Sequence, residues 1–253
     1  MHVGTKQEAH SLPRDIEFRE LCGVPELKEA ERLQMAVWGE DDKPDNSDIL
    51  LAIQHEGGLI AGAFEGDRML GFLFGFPCRE SGVQHSHRLA VHPDSQGLGL
   101  GEKMKWYQRR WCLENGIHTV RWTYDPARRV NAGLNIGKLG ATAKTYYDDY
   151  YGPMEGINAG VPSDRLLAEW HLNDPLVRLK AGEIEKVDML IETPIRVSIP
   201  KDFQNLLDQD RKTALAERLR IRSELSSAFA NGYQIIDFDL TGHCYLLGRD
   251  DRA

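Results

Sequence analysis

Residues 85–101 read HSHRLAVHPDSQGLGLG. The stretch 83–91 alternates like a β-strand and stops before Pro93, which has no N–H for a strand ladder. Glycines then occupy every second position, 97, 99 and 101, at the predicted start of a helix. Four apolar residues at helical spacing form one stripe on that helix: Leu100, Met104, Tyr107 and Trp111. The sequence therefore predicts a strand, a glycine-rich turn and an amphipathic helix in direct succession.

The glycine-rich turn has the chemistry of an anion site. Glycine lets the backbone approach a ligand closely, and unpaired N–H groups at a helix start attract negative charge, so a diphosphate is the natural guest. The glycines alone leave two alternatives open: a dinucleotide-binding turn and a tight turn without ligand. A dinucleotide turn follows the first strand of its domain, whereas here at least three strands precede the turn and two of them form a hairpin. That order disfavours a dinucleotide.

Strand-like and helical patterns alternate through the first 172 residues and predict a mixed α/β sheet domain. The predicted strands are 16–21, 58–64, 69–76, 83–91, 119–123, 141–147 and 165–172, and the helices begin near Pro25, Asp48, Leu100 and Asn131. Asn173-Asp174-Pro175 marks a boundary. Beyond it we expect an extension, residues 173–253, packed on the first domain. It holds a strand-like run at 187–199, a long helix at about 202–230 and a strand pair at 233–240 and 244–247.

Composition limits the classes of partner. The chain has 253 residues, is 41% hydrophobic and carries a formal net charge of −8. The negative charge disfavours nucleic acid, and no apolar run is long enough for a membrane span. The four scattered cysteines are typical of small buried side chains in a reducing compartment. We expect a cytoplasmic protein that binds neither nucleic acid nor membrane.

The wider string around the turn resembles a known family motif. Leu89-x-Val91-x-Pro93-x-x-Gln96-x-x-Gly99-x-Gly101 is similar to the acyl-CoA-binding pattern V-x-P-x-x-(Q/R)-x-x-G-x-(G/A) of the Gcn5-related N-acetyltransferase (GNAT) superfamily. The predicted order of elements in residues 1–172 also matches the family plan. The resemblance implies a GNAT-type, mostly antiparallel α/β sheet flanked by helices. It also implies acetyl-CoA or another acyl-CoA as co-substrate, without a metal.

The resemblance assigns cofactor binding by position. The pantetheine arm would pair with the backbone of the strand, and the pyrophosphate would lie on amides of the turn and helix start. The residues concerned are Leu89, Ala90, Val91, Gln96, Gly97, Leu98, Gly99, Leu100, Gly101 and Glu102, with Asn131 near the thiol.

The histidines of this strand are candidate bases. His85-x-His87 resembles the strand of arylalkylamine N-acetyltransferases, in which two histidines deprotonate the substrate amine. An ammonium cannot attack a thioester, and imidazole is suited to take its proton near neutral pH. Alternation places both histidines on one strand face together with Leu89 and Val91, unless a bulge intervenes. The alternative is that the histidines only fill that face.

The sequence departs from the family at the general acid. Many members carry a tyrosine that protonates the CoA thiolate, but Ile136 stands at that position. The tyrosines at 146, 147, 150 and 151 could supply a hydroxyl or line the acceptor pocket. Arg165 could grip a substrate carboxylate or bridge a neighbouring acid, and Asp125 could face the cleft or form a turn.

The function expected from these residues is acyl-CoA-dependent N-acylation of a small amine or amino acid by direct attack. His87 would be the base, assisted by His85. Two alternatives stay open: a non-catalytic acyl-CoA-binding module, and acylation of protein lysines. The extension 173–253 is compatible with a cap over the acceptor pocket or with a homodimer interface.

Overall fold

A computed structural model describes residues 15–39, 43–152, 160–187 and 194–249. The strands are β1 Glu17–Glu20, β2 Leu59–Glu65, β3 Arg68–Pro77, β4 Val83–Val91, β5 Thr119–Tyr124, β6 Thr142–Tyr147, β7 Arg165–His171, β8 Ile195–Ser198, β9 Tyr233–Asp239 and β10 Cys244–Arg249. The helices are α1 Gly23–Trp38, α2 Ser47–His55, α3 Leu100–Glu114, α4 Arg129–Ala132, α5 Pro175–Lys180, α6 Phe203–Gln209 and α7 Arg211–Ala230. A π-helical segment, Gly133–Lys138, continues α4.

The strands form one sheet in the order β1-β2-β3-β4-β5-β7-β6-β9-β10-β8. Only β4 and β5 pair in parallel, and the remaining pairings between described strands are antiparallel. The link between β6 and β9 is a single residue pair, Ala143 with Ile235. A mixed, mostly antiparallel α/β sheet flanked by helices was predicted and is confirmed.

The centre of the sheet is covered on both faces. One face of β2 and β3 packs against α1 and α2, where Leu27, Leu33 and Leu50 are buried. The opposite face packs against α3 through Met104 and Trp111. Because both faces are buried, β2 and β3 are almost continuously apolar in sequence, as is typical of strands enclosed on both sides.

Three features of the C-terminal part were not predicted from the sequence. The predicted helix at 202–230 is two helices, because Asp210 has an extended backbone (φ −148°, ψ 87°) and its carboxylate caps α7 by accepting from Thr213 N. The segment predicted as a boundary begins α5, with Pro175 in its first turn and the Asp174 side chain as its N-cap. In the strand-like run 187–199 only Ile195–Ser198 is a described strand, and residues 188–193 lie outside the described ranges.

Two charged pairs join α7 to the first part of the chain. Arg218 is buried and donates through both Nη atoms to the Asp125 carboxylate at the end of β5. Arg222 makes a similar pair with Asp164, which directly precedes β7. These pairs attach the C-terminal segment to the sheet, while the domain boundary after residue 172 stays a prediction. None of the helices in the described ranges is long and apolar enough to cross a membrane.

We predict that Arg218→Met destabilises the fold by about 3–5 kcal/mol, because it leaves the Asp125 carboxylate buried without its main partner. Urea denaturation measures this. A double variant, Asp125→Leu with Arg218→Met, should recover much of the loss, since it removes both charges. The matched control is Arg220→Met on the same helix, where the ion pairs are half-exposed and the cost should stay below about 1 kcal/mol. Equal losses in both single variants would contradict the assignment.

Candidate functional site

The glycine-rich turn presents a row of backbone amides at the start of α3. Gly97 and Gly99 have φ of 81° and 71°, in the left-handed region that favours glycine. The first intrahelical bond runs from Lys103 N to Gly99 O, so the amides of Leu100, Gly101 and Glu102 have no acceptor within the helix. The side chain of Glu102 is held by Lys138 Nζ at 2.7 Å. The turn therefore offers several free donors to an anion.

The Ser95 side chain, next to the turn, would suit a ligand that carries hydrogen-bond acceptors. Ser95 is buried, and its hydroxyl oxygen has no hydrogen-bond partner among the described residues. Residues 96–99 are exposed, so a ligand can reach their backbone. A methyl group at Gly101 would meet Leu89 Cδ2 at 3.7 Å and Val91 Cγ2 at 4.0 Å. The turn thus lies directly against the end of β4.

A cleft begins where β4 and β5 separate. Their parallel pairing holds only from Val83–Thr119 to His85–Arg121. From Ser86 to Val91, β4 is paired with β3 but not with β5. That edge of β4 keeps backbone donors and acceptors that an extended chain could pair with. The predicted cofactor residues Leu89, Ala90 and Val91 lie on this open edge.

A β-bulge changes the face on which the β4 side chains lie. Phe74 pairs with Arg88 and Gly75 with Ser86, so His87 is the extra residue. Leu89 packs in the cluster on the α3 face, whereas both histidine rings lie on the face of α1 and α2, where His87 contacts Phe74 and Phe76 and His85 contacts Phe76. The simple alternation that groups the histidines with Leu89 and Val91 is therefore wrong, because the bulge shifts the phase by one residue.

The two imidazoles lie next to each other. Their ring centroids are 5.8 Å apart, and the His85 ring stacks on Phe76 at 5.0 Å. Burial lowers the pKa of His85 to about 4, with further lowering by the nearby charges of His87, Lys105 and Arg121. Burial also lowers the pKa of His87; Asp45 opposes this effect and Arg88 adds to it. Both rings are therefore neutral at neutral pH and can accept a proton.

The α3 face of the same strand carries a buried polar network that the sequence analysis did not single out. Lys105 Nζ donates to Ser86 Oγ at 2.9 Å and to Gln108 Oε1 at 3.0 Å. Gln108 Nε2 in turn donates to Gln84 Oε1 at 2.7 Å. In the sequence Lys105 is next to Met104 of the apolar stripe, which by itself does not indicate that the lysine is buried.

The other candidates lie toward α7 or on the surface. Tyr146 donates its hydroxyl to Asp164, and Asp125 is engaged by Arg218. Tyr147, Tyr150 and Tyr151 form a ring cluster, with the Arg165 guanidinium 4.9 Å from the Tyr151 ring centroid. Asn131 is half-buried in α4, and Ile136 is fully buried in the π-helical segment that follows. The structure thus gives Asp125 and Tyr146 structural partners.

Comparison with known proteins agrees with this geometry. Residues 24–133 match the sequence profile of the Acetyltransferase (GNAT) family. The match covers less than half of the chain; residues 24–133 are thus similar to a GNAT domain, and the chemistry of that family is acyl transfer. No curated protein sequence matches the chain at a significant level.

Solved structures share the fold at low sequence identity. The ribosomal-protein-S18-alanine N-acetyltransferase of Escherichia coli is 17% identical with a TM-score of 0.52, over 63% of this chain and 95% of that chain. An N-acetyltransferase from Staphylococcus aureus Mu50 is 14% identical with a TM-score of 0.52, over 63% and 99%. The yncA protein of Salmonella typhimurium, solved with its cofactor acetyl-CoA, is 18% identical with a TM-score of 0.52, over 63% and 95%.

We predict that His85 makes stability depend on pH between about 6.5 and 4.5. Its folded pKa is about 4 and its ordinary value 6.5, so in this window only the unfolded chain takes up the proton. The free energy of unfolding of the wild type should therefore fall as the pH falls. Carboxylates whose pKa is lowered by folding change the free energy of unfolding mainly below this window, since their ordinary pKa values are 3.8 to 4.5.

Urea denaturation at both ends of the window measures this dependence. His85→Gln should reduce it and leave the part due to His87, whose pKa is also lowered, while His171→Gln, at an exposed position, should keep the wild-type dependence. An unchanged slope in His85→Gln would show that the His85 pKa is not lowered by folding.

Proposed function

We propose that this protein is an acyl-CoA-dependent N-acyltransferase that transfers an acyl group to the amine of a small molecule or amino acid by direct attack. The donor would be acetyl-CoA or succinyl-CoA. The observation that carries the proposal is the open edge of β4, which ends at the row of free amides on the glycine-rich turn. Few ligands have an extended amide-bearing arm joined to a diphosphate, and CoA is one of them.

The residues of the site fit this cofactor. The free amides of the segment 97–102 and the start of α3 would hold the pyrophosphate through hydrogen bonds and the helix dipole. Backbone groups of Leu89 and Val91 would pair with the pantetheine amides as an added strand would. The acetyl-CoA present in the Salmonella yncA structure, which shares the fold, supports this choice of ligand.

The base of the reaction would be His87, assisted by His85 or by water. His87 is exposed at the bulge, next to the point where the cleft begins, so an amine can reach it. Its lowered pKa keeps the ring neutral and ready to accept the proton that the attacking nitrogen must lose. Asp45, in the segment before α2, acts on His87 electrostatically and stabilises the imidazolium formed in that step.

Two experiments test the proposal. Calorimetry with acetyl-CoA, succinyl-CoA and CoA measures binding, and release of free thiol over a panel of amines and amino acids measures transfer. Binding without turnover on any amine, with His87→Ala unchanged, would favour the non-catalytic acyl-CoA binder; the buried Ile136, which has no hydroxyl, is the observation behind that alternative. Turnover on peptide lysines alone would favour protein acylation.

We predict that His87→Gln lowers kcat by about 10²–10⁴-fold, the usual contribution of a general base, with little change in acyl-CoA affinity. The acidic limb of the pH profile should also disappear, because wild-type activity is lost as the pH falls through the lowered pKa of His87. Steady-state kinetics from pH 5 to about 9 measures both effects. His171→Gln, at the end of β7 where it pairs with Thr119 of β5, is the control and should behave as the wild type.

We predict that Gly99→Ala weakens acetyl-CoA binding about tenfold. Its φ of 71° strains any residue with a Cβ, at roughly 1–2 kcal/mol, and relief of that strain moves the amides of the turn. Gly101→Ala is the matched control, because a methyl group there makes only ordinary van der Waals contacts. Calorimetry of both variants decides the matter, and equal affinities would remove the role of Gly99 in shaping the site.

A further inference from the structure

Lys105 lies where the two central strands separate. The last pair between β4 and β5 is His85 with Arg121, and the next residue on each strand is Ser86 and Trp122. Lys105 Nζ is 2.9 Å from Ser86 Oγ and 3.7 Å from the centroid of the Trp122 ring. The amine therefore lies on the α3 side of the sheet, at the apex of the cleft where β4 and β5 begin to separate. It contacts both strands just beyond their last shared pair.

This amine is buried without a counter-anion. Lys105 is 2% exposed, and its partners are a hydroxyl, a side-chain amide oxygen and an aromatic face. No carboxylate in the described part of the chain lies within 4 Å of its nitrogen. Buried lysines are normally paired, because an isolated charge loses its hydration. A methionine would fill the same space without that cost, so the structure has an uncompensated positive charge at the apex.

The titratable groups around Lys105 do not supply the missing negative charge. Burial raises the pKa of Cys112, one turn beyond Gln108 on α3, to about 12, so its thiol is neutral. His85 on β4, whose pKa is lowered in part by Lys105, is neutral at neutral pH. Burial lowers the pKa of Lys105 to about 7 when no anion is beside it, and a thiolate next to the ammonium would raise that pKa again while lowering its own.

We propose that Lys105 stabilises and protonates the CoA thiolate as it departs, in place of the tyrosine hydroxyl that Ile136 does not provide. The inference rests on the proposed function, because it requires the thioester to lie in this cleft. The attacking amine forms the C–N bond, the C–S bond breaks, and its electron pair goes to sulfur. Sulfur takes a proton from Lys105 Nζ, which becomes a neutral amine. The proton lost by the attacking nitrogen goes to His87 and then to water, and water reprotonates Lys105.

The test compares two ligands that differ only in the thiol, CoA and desulfo-CoA, which has hydrogen in place of the thiol group. Calorimetry gives both affinities as a function of pH, and ultraviolet absorbance of the thiolate gives the pKa of the bound thiol. In the wild type we expect the bound thiol to ionise at least one pKa unit below free CoA. The affinity for CoA is expressed relative to that for desulfo-CoA at the same pH. This ratio should be about tenfold higher at a pH where the bound thiol is ionised than at low pH.

Lys105→Met should abolish the preference for ionised CoA and return the thiol to its free pKa, while binding of desulfo-CoA changes little. Lys103→Met, an exposed lysine on the same helix, is the control and should keep the wild-type ratio of affinities. An equal ratio in wild type and Lys105→Met would overturn the proposal. If Lys105→Met does not fold, the wild type alone decides, because a bound thiol with the pKa of free CoA also overturns it. Failure of both ligands to bind the wild type would instead contradict the proposed function.

Discussion

A parallel strand pair that stops after three residue pairs leaves two backbone edges facing each other without hydrogen bonds. Unpaired backbone groups are costly when buried, so they must be met by water or by a ligand. Here β4 continues for six residues beyond its last partner on β5, and those residues end at the free amides of the turn before α3. The open edge of β4, His87 on one face and the buried Lys105 on the other are all placed by this single interruption of the ladder.

Local chemistry made a large part of the fold predictable. The β2–β3 hairpin, the strand that ends before Pro93 and the helix that starts after Gly99 follow from turn residues and periodicity, and the structure has all three. The row of free amides at the glycine turn was also predictable, because free amides at a helix start follow from the helix itself.

The remaining features depend on contacts between distant residues. The bulge at His87 cannot be predicted from the sequence of β4 alone, because it is defined by the register of β4 against Phe74 and Gly75 of β3. The break at Asp210 is visible only as a capping residue in an otherwise helical pattern. Lys105 reads as a solvated lysine of an amphipathic helix, and its burial comes from the strands that diverge beneath it. The sequence therefore predicts the elements better than the packing of the side chains between them.

The ion pair between Asp125 and Arg218 also affects how the chain can fold while it is being synthesised. The two residues are 93 positions apart, and a ribosome delivers the strand that ends at Asp125 long before α7. Until then the carboxylate at the end of β5 has only the more distant Arg128 Nε, 3.7 Å away, and that end of the sheet stays hydrated. During synthesis the strands that precede β5 can pair locally, whereas the edge next to the cleft is completed only when the last fifth of the chain emerges.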